Sequence, residues 1–303
     1  MEFFSHNTKI PFMAIKNKTF ALSIGVMLLS FFAIFTNGLK MGLEFTGGIQ
    51  MEVAFSSAVD LSVVRESLST VSHNISIQSI GGSRDVLLRV PSTDDKGLQS
   101  KIESVLSEQF PHASISHVEY IGPQIGQELL TEGLNAVIFA LILTMFYIAV
   151  RFEYRFALAA IVALLHDPII TLGFFSYFQI EFDLISMAGI LTVLGYSLND
   201  TIVVYDRIRE NFSTHPDKPI EESVNLAINE TLSRTIITSL LTLMAVLSLL
   251  FFGGDSLAGF SIALTIGIIV GTYSSIYVAG ALAVVLGLTN RPEPQLKPQL
   301  IRS

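Results

Sequence analysis

Three ionisable side chains fall in or beside stretches apolar enough to cross a bilayer. Asp200 lies in Leu191–Val204 (LTVLGYSLNDTIVV), where an unpaired charge costs roughly 2.5 kcal/mol or more. The cluster Asp206-Arg207-Ile208-Arg209-Glu210 follows it and marks where the helix leaves the membrane, so Asp200 sits roughly 10 Å inside that boundary. Asp167 comes twelve residues after Arg155, which places it roughly 18 Å deep on the preceding span, near mid-bilayer. Arg234 opens the next span, where its long side chain either snorkels to water or turns inward to pair with a carboxylate; the sequence leaves both open. Burial favours the protonated form of a carboxyl and a nearby guanidinium favours the ionised one. An acid that alternates between those surroundings takes up a proton on one side and gives it up on the other, the minimal machinery of proton coupling.

Polar neighbours offer a blander alternative. Ser197, Asn199 or Thr201 would make Asp200 a buried, hydrogen-bonded residue without turnover, although a neutral Asn would fill that role without the ionisation cost. His166 precedes Asp167 and points about 100° away around the helix, which suits a polar packing residue as well as a relay member. Pro168 frees the carbonyl of Leu164 and is expected to kink the span or admit a water beside Asp167.

The elements that must position these residues are membrane spans. The chain has 303 residues, 50% hydrophobic and 15% charged, against roughly 25% charged residues in a soluble domain, so it reads as a polytopic α-helical membrane protein. It has no cysteine, which excludes disulfides, thiol catalysis and Cys-ligated metals. The histidines show no H-E-x-x-H or paired spacing, and the P-loop and G-x-S-x-G patterns are absent. No metal site, cofactor, enzymatic activity or nucleic-acid partner is expected, and energy must come from a gradient or a partner.

Apolar runs approaching the roughly 20 residues of a span give six transmembrane helices, at 19–36, 133–150, 156–178, 184–205, 235–252 and 257–288. Lys16/Lys18, Arg151/Arg155, Arg207/Arg209/Lys218/Arg234 and Arg291/Lys297/Arg302 fall on one side, and the short loops Gln179–Asp183 and Gly253–Ser256 carry no Lys or Arg. The positive-inside rule therefore makes both termini, 1–18 and 289–303, cytoplasmic. No small-residue cleavage site follows the first run, which reads as an uncleaved anchor. Residues 206–234 form a cytoplasmic loop, with an amphipathic helix Glu221–Leu232 expected to lie along the interface on Val224, Ala227 and Ile228.

Residues 37–132 are too long and too patterned for a connection and read as a folded domain outside the cytoplasm. Ile49–Phe55 alternates as a strand, Asp60 caps a helix to about Val71, and Ile75–Ile80 and Asp85–Val90 form a hairpin about Gly81-Gly82-Ser83. Ser92 with Asp95 opens a helix to about Phe110, and His112–Tyr120 is a last strand. The order β-α-β-β-α-β is that of a ferredoxin-like unit. His73, His112 and His117 are scattered within it and read as surface groups. Thr36–Lys40 and Ile121–Thr131, each with a Gly, are candidate hinges. Gly189 and Gly195 in the fourth span, and Gly259, Gly267, Gly271 and Gly280 in the last, are expected to let helices approach closely.

Gly42-Leu43-Glu44-Phe45-Thr46-Gly47-Gly48 resembles the G-x-D-F-x-G-G segment of the SecD/SecF family, and Ile121–Leu129 (IGPQIGQEL) resembles its V-G-P-x-V-G-x-E-L element. His166-Asp167 and Tyr196–Asn211 (YSLNDTIVVYDRIREN) resemble the family's SecF signature. The likeness covers nearly the whole chain; Glu44 stands where the family usually has Asp, and Pro168 where it has an aliphatic residue. The resemblance implies an RND-type half-transporter in the bacterial inner membrane. Its implied partners are SecD, a SecYEG-type channel, YajC- and YidC-type proteins, unfolded preprotein and membrane lipids. It also implies use of a proton or sodium gradient to help draw secreted chains outward, with Asp200 as coupling carboxylate, Arg234 (in Thr231–Thr235) as its cationic partner and Asp167 as a second family acid. Two other readings compete: a passive membrane scaffold whose buried acids form a structural network, and a small-molecule or lipid exporter of the same superfamily. Only one six-span half and one small outer domain are present, which disfavours the exporter.

Overall fold

The computed structural model describes residues 9–71, 75–80, 82, 84–91 and 97–288. Six helices among these residues are long and apolar enough to cross a membrane. Five are α1 (Lys16–Asn37), α5 (Pro123–Arg151), α6 (Tyr154–Phe178), α7 (Leu184–Thr214) and α8 (Ile220–Phe252). The sixth is α9 (Ala258–Ser274), continued by a π-helical turn (Ser275–Ala279) and α10 (Gly280–Val285).

An α+β domain lies between the first two spans, built from β2 (Gly48–Ala54), α3 (Leu61–Ser69), β3 (Ser76–Ser79), β4 (Asp85–Pro91), α4 (Leu98–Gln109) and β5 (Ser114–Ile121). Its sheet has the order β3-β4-β2-β5, with every neighbouring pair antiparallel, the ferredoxin-like arrangement. Met51, Val53, Val86, Leu88 and Val90 meet Val64, Leu68, Ile102 and Leu106 from the helices, so alternate strand residues supply the core. Asp60 caps α3 by accepting from Ser62 N at 2.9 Å, a bond that holds its carboxyl below the usual carboxylate range. The Ser92/Asp95 capping pattern, His73 and two residues of the Gly81–Ser83 turn lie outside the described residues.

Two glycine-bearing segments lock the domain to the bundle. Between β1 (Lys40–Met41) and β2 runs the short helix α2 (Leu43–Thr46), followed by Gly47 at φ +72°, a left-handed conformation in which a Cβ is strained. A Cβ on Gly47 would lie 2.9 Å from Pro123, and one on Gly126 would lie 2.7 Å from Phe45 O. The two motifs are therefore backbone-to-backbone contacts that tolerate no side chain. β1 also pairs in parallel with β6 (Glu181–Phe182), between α6 and α7. The candidate hinge at Ile121–Thr131 does not appear as a loop, because α5 starts at Pro123, whose fixed φ suits a first helical position.

The stretch expected as a loop with a separate interfacial helix is different again. Residues 220–252 form one unbroken helix, since nothing between them breaks it: the segment contains neither Gly nor Pro. Val224, Ala227 and Ile228 are buried within the bundle, in one core cluster with Phe156, Ile208 and Ala279, not laid on an interface. Gly267 and Gly271 serve packing within the chain: a Cβ on Gly267 would collide with Val193, and one on Gly271 would come 3.1 Å from Ser197. Gly189 faces Ala263 and Phe260 in the same way, whereas Gly195 meets nothing within 4 Å and is no packing surface in this chain.

Candidate functional site

At the centre of the bundle α6, α7 and α9 bring polar groups together from three helices. Asp167 is fully buried. Its Oδ1 is hydrogen-bonded to His166 Nδ1 at 2.8 Å; its Oδ2 is bonded to Ser197 Oγ of α7 and to Ser274 Oγ of α9 at 2.9 Å. Adjacent side chains on a helix diverge, yet the imidazole folds back onto the neighbouring carboxyl. Tyr273 stacks on His166, with ring centroids 6.5 Å apart, and its hydroxyl donates to Thr19 O at 2.8 Å and accepts from Ser23 Oγ. Pro168 lies inside α6, which continues unbroken to Phe178.

The hydrogen bonds of the node have more than one possible arrangement. Ser274 Oγ also lies 3.1 Å from Gly271 O, and a hydroxyl has a single proton to give. It can therefore serve Asp167 Oδ2 or the Gly271 carbonyl, one at a time. His166 Nε2 is buried and has no partner, so the imidazole has one engaged and one open nitrogen. The π-helical turn begins at the residue after Ser274; such turns, wider than an α-turn, recur at functional sites.

Asp200 has none of this support. It is 3% exposed and its Oδ2 is buried without a hydrogen-bond partner. The three expected partners are engaged elsewhere or turned away: Ser197 bonds Asp167, Thr201 Oγ1 donates back to Ser197 O at 3.1 Å, and Asn199 is exposed. Arg234, its expected cationic partner, is carried by the adjacent helix α8. Its side chain is exposed on α8, and the two form no ion pair among the described residues. Thr235, the next residue, is buried with an unpartnered hydroxyl.

The sequence reading therefore grouped residues that the structure separates. His166, Asp167 and Ser197 form one node; Asp200 with Arg234 is a second place. Ser274 and Tyr273 were missed, although Thr272-Tyr273-Ser274-Ser275 is a polar interruption of an otherwise apolar span. Among the described residues no three His, Asp or Glu side chains are grouped to hold a metal.

A third charged group sits where domain and bundle join. Arg89 of β4 is buried, with Nη1 3.2 Å from Glu181 Oε1 and Nη2 3.7 Å from Glu44 Oε1. Burial pushes the Glu44 carboxyl up from its ordinary value. Its backbone amide and Arg89 oppose this, while Asp183 and Glu181 add to it.

Residues 101–289 match the family model described as "Protein export membrane protein SecD/SecF, C-terminal", and residues 32–59 match the SecD/SecF GG motif. The chain is 44% identical to protein translocase subunit SecF of Pseudomonas aeruginosa over 293 residues, covering 96% of this chain and 95% of that protein. It is 43% identical to the SecF of Calditerrivibrio nitroreducens, covering 94% and 97%. The crystal structure of SecDF, a translocon-associated membrane protein from Thermus thermophilus, superposes with a TM-score of 0.80 at 36% identity; the match covers 93% of this chain and 39% of that longer one. These likenesses mark a multi-pass transport protein that assists protein export, and not an enzyme. With its glycine motifs, its six spans and its buried acids in the places described, the chain belongs to the SecD/SecF family of protein-export membrane proteins, on the SecF side.

Proposed function

We propose that the chain, paired with SecD, draws on the proton or sodium gradient to promote export of unfolded preproteins delivered by a SecYEG-type channel. The α+β domain lies on the periplasmic side of the inner membrane and both termini are cytoplasmic, as the lysine and arginine distribution favours. Asp200 is the acid that changes state, Arg234 is its cationic partner, and Asp167 with His166 is the second acid of the path, held ready by Ser197 and Ser274.

One observation carries this reading: among the described residues the buried Oδ2 of Asp200 has no hydrogen-bond partner, and Arg234 on the adjacent helix α8 forms no ion pair. A charge on Asp200 is costly in that arrangement, and moving Arg234 alongside removes the cost. Two positions of α8 relative to α7 therefore correspond to two ionic states, which is the requirement for a gradient to bias a conformational equilibrium. One elementary charge crossing 100 mV supplies about 2.3 kcal/mol, enough to change a population ratio nearly fiftyfold. A passive scaffold is favoured by the Asp167 node taken alone, since that node is satisfied as it stands.

Asp200→Asn separates the two. In vesicles containing the variant with SecD and the channel, gradient-stimulated preprotein translocation should vanish while assembly of the complex is unchanged. Full stimulation with the variant would return the scaffold reading to the front.

A further inference from the structure

The described chain begins with a strap laid along α8. Ile10 N donates to Asn229 Oδ1 at 2.9 Å, and Asn229 Nδ2 donates back to Ile10 O at 2.9 Å. The one side-chain amide thus pairs with the backbone as a neighbouring strand would. Met13 N donates to Asn225 Oδ1 at 2.9 Å, and Lys16 Nζ meets Glu221 Oε1 at 2.5 Å. Glu221, Asn225 and Asn229 follow one another at four-residue spacing and so form one stripe of the helix, with the strap running antiparallel to it.

The strap is fastened to the helix that carries Arg234 and packs on the ring column that leads to His166. Asn229 lies five residues, nearly one and a half turns, before Arg234 on the same continuous helix. On the other side Phe12, 3% exposed, sets its ring edge-on to Tyr277 at 5.6 Å. Tyr277 lies 5.4 Å from Tyr273, and Tyr273 stacks on His166, the hydrogen-bond partner of Asp167. This column of rings crosses the π-helical turn, which contains Tyr277. A helix fastened through asparagine side chains is held by neutral hydrogen bonds, which exchange readily for bonds to water.

We propose that Asn225 and Asn229 are positioning residues for Arg234: by holding the strap they keep α8 where Arg234 stands clear of Asp200, and the strap parts from α8 when the two charges meet. The inference rests on the coupling role of Asp200 and Arg234 given above.

The absence of cysteine in the chain permits a direct test. Lys16→Cys with Glu221→Cys places the only two thiols across the strap, and a reducible bis-maleimide of matching length fastens them in the full complex in vesicles. Gradient-stimulated translocation should fall to the unstimulated level when crosslinked and return on reduction, with each single-cysteine variant unaffected by the reagent. A crosslinked protein with full stimulation overturns the strap, provided Asp200→Asn has abolished stimulation in the same preparation; if Asp200→Asn has not, the coupling reading itself fails. Asn229→Ala should slow gradient-stimulated transport, and Asn229→Gln, which keeps both donor and acceptor, should restore most of it. Equal loss in the two variants would mark a packing role and sink the positioning one.

Discussion

Asp167 and Asp200 lie on neighbouring antiparallel helices of one apolar bundle, and their surroundings are opposite. Asp167 has hydrogen-bond partners for both oxygens from three side chains; Asp200 keeps a buried oxygen with no partner and a cation that does not touch it. The first arrangement is what a folded core demands of a buried carboxyl. The second stores a cost that a movement can relieve. What sets the two acids apart in the structure is the availability of donors.

The contrast is sharpest in stability. Asp167→Ala strands His166 Nδ1 and Ser197, while Ser274 keeps the Gly271 carbonyl; each buried group left unpaired costs about 1–3 kcal/mol, so a loss of several kcal/mol is expected. Asp200→Ala strands no donor and should change stability little or raise it. Thermal unfolding of both variants in the same detergent measures the difference, and equal losses would mean that Asp200 has support the described contacts lack.

Ser274→Ala is the next smaller change. It removes one of three partners of Asp167 and should cost about 1–2 kcal/mol, with Ser275→Ala, whose hydroxyl among the described residues bonds only to Thr272 O, costing less. An inverted order in the same unfolding assay would place Ser275, rather than Ser274, on the carboxyl.

Glu44 stands between the extremes, with a cation at 3.7 Å and burial working against its charge. Its folded value is raised above that of an unfolded chain. Its contribution to stability is therefore complete below the unfolded carboxylate value and is lost as pH rises through the folded one. Acidification should tighten the junction of domain and bundle, and Glu44→Gln should flatten that dependence. Hydrogen exchange of the amides from Gly42 to Gly47, followed against pH, reports it; an unchanged pH profile in the variant would assign the effect to another group.

Legibility varied with the range of the interactions. The six spans, the order of the α+β domain and the Asp60 cap follow from hydropathy and local periodicity, and all were readable. The length of α8 was misjudged because a polar first third suggested a separate surface helix, whereas Val224, Ala227 and Ile228 found a buried face on other helices. The pairing of β1 with β6 joins two-residue strands far apart in the chain, too short for any pattern.

The amino-acid sequence by itself determined which acids lie in the membrane, because the cost of burying a charge depends on the apolar run around it. Only the tertiary structure decided what surrounds each acid. Ser197 is three residues from Asp200 yet is bonded to Asp167, and Ser274 reaches that carboxyl across 107 residues. Hydrogen bonds act over about 3 Å, and which groups come that close is settled by how the helices turn and pack against one another, not by their separation along the chain.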